Sequence, residues 1–146
     1  MNQPFDPIPD AYGFRLSNPP VLMVASLLAS LEIFDRVTMP VLRAKSELLT
    51  GYLEFLLSTS FDRSDFQIIT PKEPSERGCQ LSLFWHWDIS TVAELLEKRG
   101  VIVDVRKPNV IRVAPAPLYN SFEDVFSLVV QLKETIEELR TRGAKK

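Results

Sequence analysis

A double proline followed by an almost uninterrupted apolar segment constrains this chain most strongly. Pro19 and Pro20 precede the segment 21–36, and proline suits the first turn of a helix. Apolar side chains fall on nearly every face of the predicted helix: Leu22, Val24, Leu27, Leu28, Leu31, Ile33 and Phe34. A helix that is apolar all round has to be buried on all sides. A chain of 146 residues has little core to cover it, so the segment indicates a partner surface.

Composition and charge exclude several classes of protein. The chain has 45% hydrophobic and 25% charged residues and a net charge of −2, which is typical of a soluble globular domain without a nucleic-acid-binding surface. The longest uncharged run, 16–31, is shorter than the ~20 apolar residues of a membrane-spanning helix, and the start lacks the basic-then-apolar pattern of a signal peptide. The single cysteine, Cys79, favours a reducing compartment, so we expect a cytoplasmic protein.

The rest of the chain predicts helices alternating with short strands. The segment 1–18 is proline-rich, and we interpret it as an extended, linker-like lead-in to a domain over 19–146. A helix is predicted over 40–58, and its buried stripe is expected to comprise Val41, Ala44, Leu48, Tyr52 and Phe55. Strands are predicted over 66–70 and 80–87, and a capping box of Thr91 and Glu94 predicts a short helix that ends at Gly100.

The C-terminal third predicts a hairpin and a last helix. Two β-branched runs, 101–105 and 110–114, are joined around residues 107–109, as in an antiparallel hairpin. Ser121 and Asp124 predict the start of a helix, and we expect the end, 140–146, to fray. Its expected buried residues are Phe122, Val125, Val129, Leu132, Ile136 and Leu139. The elements together predict an α/β domain with a small, mostly antiparallel sheet packed on helices.

Two polar residues are candidates for ligand binding. Arg112 alternates with apolar neighbours and should share a sheet face with Val110 and Ala114. There it could offer its guanidinium fork to a carboxylate, although spacing alone favours an ion pair at the surface or between domains. Asn18 lies at the mouth of the apolar helix, where capping of the helix is the alternative to ligand contact.

Other reactive side chains favour structural interpretations. His86, between two tryptophans, and the lone Cys79 lack the neighbours that catalysis needs. Glu137 and Glu138 are expected to face solvent. One histidine and one cysteine cannot form a metal cluster, so no metal site is expected.

Three segments resemble the kynureninase family. They read GFRLSNPP over 13–20, ERGCQL over 76–81 and NVIRVAPAPLYNSF over 109–122. The similarity runs in order from Gly13 to near the C-terminus and covers the family's C-terminal part. It implies the small C-terminal domain of the PLP-dependent transferase (aminotransferase class V-like) fold. In that fold this domain packs on a large domain that binds pyridoxal 5'-phosphate, and the enzyme is a homodimer.

The resemblance also implies roles for single residues. Arg112 matches the arginine that pairs with the substrate's α-carboxylate. Asn18 matches an asparagine that reaches the cofactor and substrate pocket from the neighbouring subunit, and the resemblance implies that Ser17 beside it also binds the cofactor by lining that pocket. The family hydrolyses kynurenine or 3-hydroxykynurenine to anthranilate or 3-hydroxyanthranilate and alanine, in tryptophan catabolism and NAD biosynthesis.

The family's Schiff-base lysine belongs to the large domain. None of this chain's lysines lies in that motif: Lys45, Lys72, Lys98, Lys107, Lys133, Lys145 and Lys146. We therefore expect no catalytic residue in this chain and no activity of the chain alone. Two alternatives stay open, a non-enzymatic remnant that acts as a binding or oligomerisation module and a small-molecule regulatory domain.

Overall fold

The computed structural model describes residues 8–143. The chain forms two compact units, Met1–Thr38 and Met39–Lys146. Among the described residues no helix is both long and apolar enough to cross a membrane. The predictions for residues 1–7 and 144–146, which include part of the linker-like lead-in and of the frayed end, lie outside the described residues.

The first unit consists of a short turn and the predicted apolar helix. Helix α1 spans Val21–Phe34 and begins after Pro20 without a side-chain cap, so the capping interpretation of Asn18 is wrong. A 3-10 turn over Asp10–Phe14 precedes it, which contradicts an extended lead-in. The turn follows Pro9 and ends at Arg15, whose backbone amide donates to the Tyr12 carbonyl.

No side chain of α1 is buried. Large apolar residues on opposite sides of the helix are exposed, among them Leu22, Leu27 and Ile33. The described part of the first unit therefore does not itself provide the expected burial of this helix. An exposed apolar surface of this extent is typical of an interaction site.

The second unit contains the remaining predicted helices and strands. They are α2 (Met39–Ser60), β1 (Phe66–Ile68), β2 (Leu81–Trp85), α3 (Ile89–Lys98), β3 (Asp104–Arg106), β4 (Val110–Val113) and α4 (Phe122–Gly143). A 3-10 turn over Pro74–Glu76 lies between β1 and β2. The strands form an antiparallel sheet in the order β1-β2-β4-β3. The predicted sheet and hairpin are confirmed, with strands shorter than expected and with the strand predicted over 101–105 shifted to 104–106.

The core lies between one face of the sheet and the helices. Side chains along β2 alternate, so that Leu81, Leu83 and Trp85 are buried and the residues between them are half-buried. On the helix side, α2 and α4 pack together, and α4 also contacts α3. The opposite sheet face carries both apolar and polar side chains, among them Phe84, Ser82 and Arg112.

The buried face of α2 is not the one predicted. Of the expected stripe, Val41, Leu48 and Phe55 are exposed, and only Tyr52 packs against the core. The face that packs into the core is instead formed by Leu42, Ser46, Leu49, Thr50, Leu53 and Leu57. Both stripes are apolar at helical spacing, so the sequence pattern could not distinguish them, and packing against α4 and the sheet selects the second.

Helix α4 follows its prediction at the start. Ser121 and Asp124 form a reciprocal cap, with the Ser121 amide donating to Asp124 Oδ2 at 2.7 Å and the Asp124 amide donating to Ser121 Oγ at 3.2 Å. The hydrogen bonds that the Ser121 amide and hydroxyl donate to the Asp124 carboxylate hold its pKa below the ordinary value. The expected stripe is buried except for Phe122, which is half-exposed and packs edge-on against Tyr52.

The far end of α4 differs from its prediction. Instead of fraying at Arg140, the helix continues to Gly143, and Arg140 binds the buried carboxylate of Asp65 at 2.9 Å. Glu138 is not simply solvated either. It accepts from Arg99 of the α3 C-terminus at 2.7 Å, which lowers the pKa of the Glu138 carboxyl. These ion pairs join α4 to the loop before β1 and to α3.

Helix α3 is capped by a residue other than the predicted one. The Asp88 side chain accepts from the Thr91 amide at 2.9 Å and from the Thr91 hydroxyl at 2.7 Å. Thr91 is therefore inside the helix rather than at its cap. The predicted C-terminal signal is confirmed, because Gly100 adopts a left-handed φ of 78°.

The Asp88 cap gives a testable expectation. Asp88→Ala should lower the Tm at neutral pH by about 2–4 °C, because it removes an N-cap. The Thr91 bonds hold the pKa of Asp88 below 3.8, so the cap's contribution is present above that pH. It is lost as pH falls through the lowered pKa, and the difference between the two proteins should shrink there. Thermal unfolding at pH 7 and pH 2.5 measures both effects.

Glu94→Ala is the matched control, because Glu94 is exposed and would matter only if Thr91 were the cap. It should leave the Tm unchanged. A loss with Glu94→Ala and none with Asp88→Ala would contradict the observed cap.

Candidate ligand site around Arg112

The hairpin of β3 and β4 sets the position of Arg112. In β4, Ile111 and Val113 are buried in the core, and Arg112 between them lies on the other sheet face. The predicted alternation is thus confirmed. Arg112 is paired with Asp104 of β3 on one side and with Ser82 of β2 on the other. It is therefore held within the sheet by a partner on each neighbouring strand.

Asp104 binds the side edge of the Arg112 guanidinium, which is the edge formed by Nε and Nη2. Arg112 Nε donates to Asp104 Oδ2 at 2.6 Å, and Nη2 donates to the same oxygen. Arg106 also donates to this oxygen, through Nε at 3.3 Å and Nη2 at 3.2 Å. The two arginines hold the pKa of the Asp104 carboxyl below its ordinary value, with the Arg112 hydrogen bond as the main cause. The surface ion pair that spacing favoured is therefore present.

Arg112 and Asp104 also line a cleft of about 570 Å³. The cleft lies between the β3–β4 edge of the sheet, the loop after β4 and the N-terminal half of α4. Its walls are partly apolar, with Val101 and Leu128, and partly polar, with Asn120 and Gln131. A cavity of this size with a few convergent polar groups suits a small molecule. Arg112 lines it with a half-buried side chain.

The loop after β4 is fixed by hydrogen bonds. Asn120 Oδ1 accepts from the Ala116 amide at 2.8 Å, and the Asn120 amide donates to the Ala116 carbonyl at 2.9 Å. From α2, Lys45 Nζ donates to the Pro117 carbonyl at 2.7 Å. The loop that forms one wall of the cleft is thus tied both to itself and to α2, which keeps the cleft preformed.

The ERGCQL segment has a structural rather than a ligand-binding arrangement. The side chain of Arg77 is only 6% exposed and donates to Glu54 Oε2 of α2 at 2.5 Å. It also donates to the Pro71 carbonyl at 3.2 Å. Arg77 therefore fastens the connection between β1 and β2 onto α2. Cys79, two residues further along the chain, is a half-buried free cysteine.

Ser17 and Asn18 belong to the first unit and are exposed. Arg15 binds both, with Nη2 donating to Asn18 Oδ1 at 3.4 Å and Nε donating to the Ser17 carbonyl at 3.2 Å. The amide group of Asn18 does not cap α1.

The remaining candidates have no catalytic neighbours among the described residues. His86 is exposed and packs edge-on against Phe84 with ring centroids 5.6 Å apart. Within 8–143 no three His, Cys, Asp or Glu side chains gather in a way that could hold a metal ion. Arg112 and its carboxylate partner thus form the most distinctive polar group on the cleft.

Asp104 was missed by the sequence analysis, although a signal for it exists. The hairpin turns around 107–109, and a pairing centred on Pro108 places residue 104 opposite residue 112. Counting the register across the predicted turn would have revealed an aspartate facing the candidate arginine.

Comparison with known structures identifies the class of fold. A NifS-like protein matches 67% of this chain and 29% of its own chain, with a TM-score of 0.56 and 21% identity. Together with the small antiparallel sheet packed on helices, this likeness confirms the predicted fold class, the small C-terminal domain of the PLP-dependent transferase (aminotransferase class V-like) fold.

Sequence comparison then identifies the family. The family model for the kynureninase C-terminal domain matches residues 42–132. Kynureninase from Homo sapiens is 47% identical over 98% of this chain and 32% of its own length. Kynureninase from Rattus norvegicus is 52% identical over 88% of this chain and 29% of its own length. The chain therefore belongs to the kynureninase family and spans about a third of the length of these relatives.

Proposed function

We propose that this chain supplies the C-terminal domain of a kynureninase. The complete enzyme would hydrolyse kynurenine or 3-hydroxykynurenine to anthranilate or 3-hydroxyanthranilate and alanine, as a step of tryptophan catabolism and NAD biosynthesis in the cytoplasm. The observation that carries the proposal is the half-buried Arg112 at a preformed cleft, in a chain that matches the C-terminal domain of this enzyme family.

Arg112 is proposed to bind the α-carboxylate of the substrate. A guanidinium can donate two parallel charge-assisted hydrogen bonds to a carboxylate, and Arg112 sits on a strand whose neighbours on both sides restrict its backbone. This anchoring would orient the Cα–H bond for removal of its proton, because the orientation of a reacting group accounts for much of an enzymatic rate.

Ser17 and Asn18 are proposed to contribute to the cofactor and substrate pocket. Asn18 suits such a role because its amide nitrogen can donate to an oxygen of a ligand while its Oδ1 accepts from Arg15. When bound, pyridoxal 5'-phosphate supplies an electron sink for carbanion chemistry. These residues would be a minority of its ligands, and we propose that the Schiff-base lysine lies outside this chain.

The exposed apolar surfaces are proposed to meet the rest of the enzyme. Helix α1 has no buried residue, and the outer face of α2 exposes Val41, Leu48 and Phe55. Both surfaces suit a large cofactor-binding domain or the second subunit of a homodimer. The lead-in 1–18 would then join the domain 19–146 to the large domain.

A hybrid enzyme tests this function. The hybrid joins this chain to the part of human kynureninase that precedes the matching region, which is about two thirds of that enzyme. With pyridoxal 5'-phosphate present, the hybrid should hydrolyse kynurenine. The chain alone should have no activity, because we propose that the Schiff-base lysine and most other cofactor ligands lie outside it. Formation of fluorescent anthranilate measures both.

Turnover of kynurenine by the pure chain would contradict the proposal that the Schiff-base lysine and most cofactor ligands lie outside this chain. A folded, cofactor-loaded hybrid without activity would favour the non-enzymatic module instead. The absorbance of bound pyridoxal 5'-phosphate and the elution volume of the hybrid separate that result from misfolding.

A further inference from the structure

Asp104 is placed to control the geometry of Arg112. The two residues are directly opposite each other in the β3–β4 pairing, so the backbone keeps them adjacent. Asp104 Oδ2 accepts from Nε at 2.6 Å and also from Nη2, which together form the side edge of the guanidinium. Nη1 donates to no residue within 8–143. The end of the guanidinium, formed by Nη1 and Nη2, is thus the edge left for an incoming carboxylate.

We propose that Asp104 is a positioning residue, which fixes Arg112 through its side edge and leaves the end edge for the substrate carboxylate. The inference rests on the proposed function, because it takes Arg112 as the carboxylate ligand. A free arginine has large rotamer entropy, and a partner that orders it before the ligand arrives removes part of the ordering cost of binding.

Arg106 supports this assignment. It also donates to Asp104 Oδ2, at 3.2 and 3.3 Å, and so gives the carboxylate a second cationic partner. Asp104 is thus paired with two arginines, which favours its ionised form while a second carboxylate binds Arg112. The opposite possibility is that Asp104 competes with the substrate for Arg112, and the two possibilities have opposite kinetic consequences.

The first measurement is made on the full chain without ligand. The Arg112 Nε–H signal in ¹⁵N-resolved NMR, assigned by its loss in Arg112→Gln, should exchange slowly with water because it is bonded to Asp104. Asp104→Ala should make that exchange fast, whereas Asp62→Ala, which removes an exposed carboxylate from the loop before β1, should not. The amide spectrum of each variant checks that it is folded. Unchanged exchange in Asp104→Ala overturns the inference.

The second measurement uses the hybrid enzyme. Asp104→Ala should raise KM for kynurenine about five- to tenfold, the expected effect of one additional side chain to be ordered on binding, with kcat changed less. Asp104→Asn keeps an oxygen acceptor and should restore most of the loss. If both variants lower KM, Asp104 is a competitor and the inference is overturned.

Failure of the inference is distinguishable from failure of the proposed function. If Arg112→Gln raises KM and Asp104→Ala does not, only the positioning role is wrong. If Arg112→Gln itself leaves KM unchanged in an active hybrid, the proposed role of Arg112 is wrong as well.

Discussion

Replacing Arg112 by glutamine in the hybrid enzyme should lower kcat/KM for kynurenine by about 100- to 1000-fold. The substitution removes a charged group that can form two hydrogen bonds to a carboxylate, each contributing on the order of 1.5–3 kcal/mol. Solvent weakens these bonds in part, because the Arg112 side chain is only half-buried. Each 1.4 kcal/mol corresponds to a factor of ten. Steady-state kinetics with kynurenine, followed by anthranilate fluorescence, measures the effect.

Arg63→Gln is the matched control for this substitution. Arg63 is an exposed arginine in the loop between α2 and β1, so the variant loses the same charge away from the cleft and should keep kcat/KM within about twofold. An Arg112→Gln hybrid with unchanged kinetics would contradict the proposed substrate contact. Equal losses in both variants would indicate a general effect of net charge.

Leu53→Ala should lower the free energy of unfolding by about 3 kcal/mol, whereas Leu48→Ala should change it by less than about 0.5 kcal/mol. Leu53 is 0% exposed and Leu48 is 65% exposed, although both are leucines of α2. Leu53→Ala leaves a cavity in the core, whereas Leu48→Ala removes a side chain that is already exposed to solvent. Urea unfolding followed by tryptophan fluorescence reports the second unit, because Trp85 and Trp87 both belong to it.

A larger loss of unfolding free energy for Leu48→Ala than for Leu53→Ala would mean that the face of α2 with Leu48 is the buried one, as the sequence pattern predicted. A large effect of Leu48→Ala confined to the hybrid enzyme would be a separate finding. It would support the proposal that the outer face of α2 meets the rest of the enzyme.

The element order of the fold could be read from the sequence because its signals are local. Prolines, the Ser121–Asp124 cap and the glycine at position 100 mark where helices begin and end. The run of alternating residues around Arg112 was sufficient to place it on the outer sheet face. These signals act over a few residues, and the surrounding structure does not change them.

The errors arise where two local patterns compete. Asp88 and Thr91 are both residue types that cap helices well, and each has a suitable partner three residues later, so the sequence alone does not choose between them. In the structure the Asp88 carboxylate accepts from the Thr91 amide, which makes Asp88 the cap. In α2 two apolar stripes share one helix, and only the contact with α4 decides which is buried. Such choices depend on partners distant in sequence.

The sequence by itself determined the family, the order of helices and strands, and Arg112 as the candidate carboxylate ligand, because motifs and periodicity are properties of neighbouring residues. Only the tertiary structure decided the buried face of α2, the use of Arg77 and Arg140 as ion-pair anchors, and the pairing of Asp104 with Arg112. Those features depend on strand register and on packing between distant segments, since a charged or apolar side chain takes its role from the group that the fold brings against it.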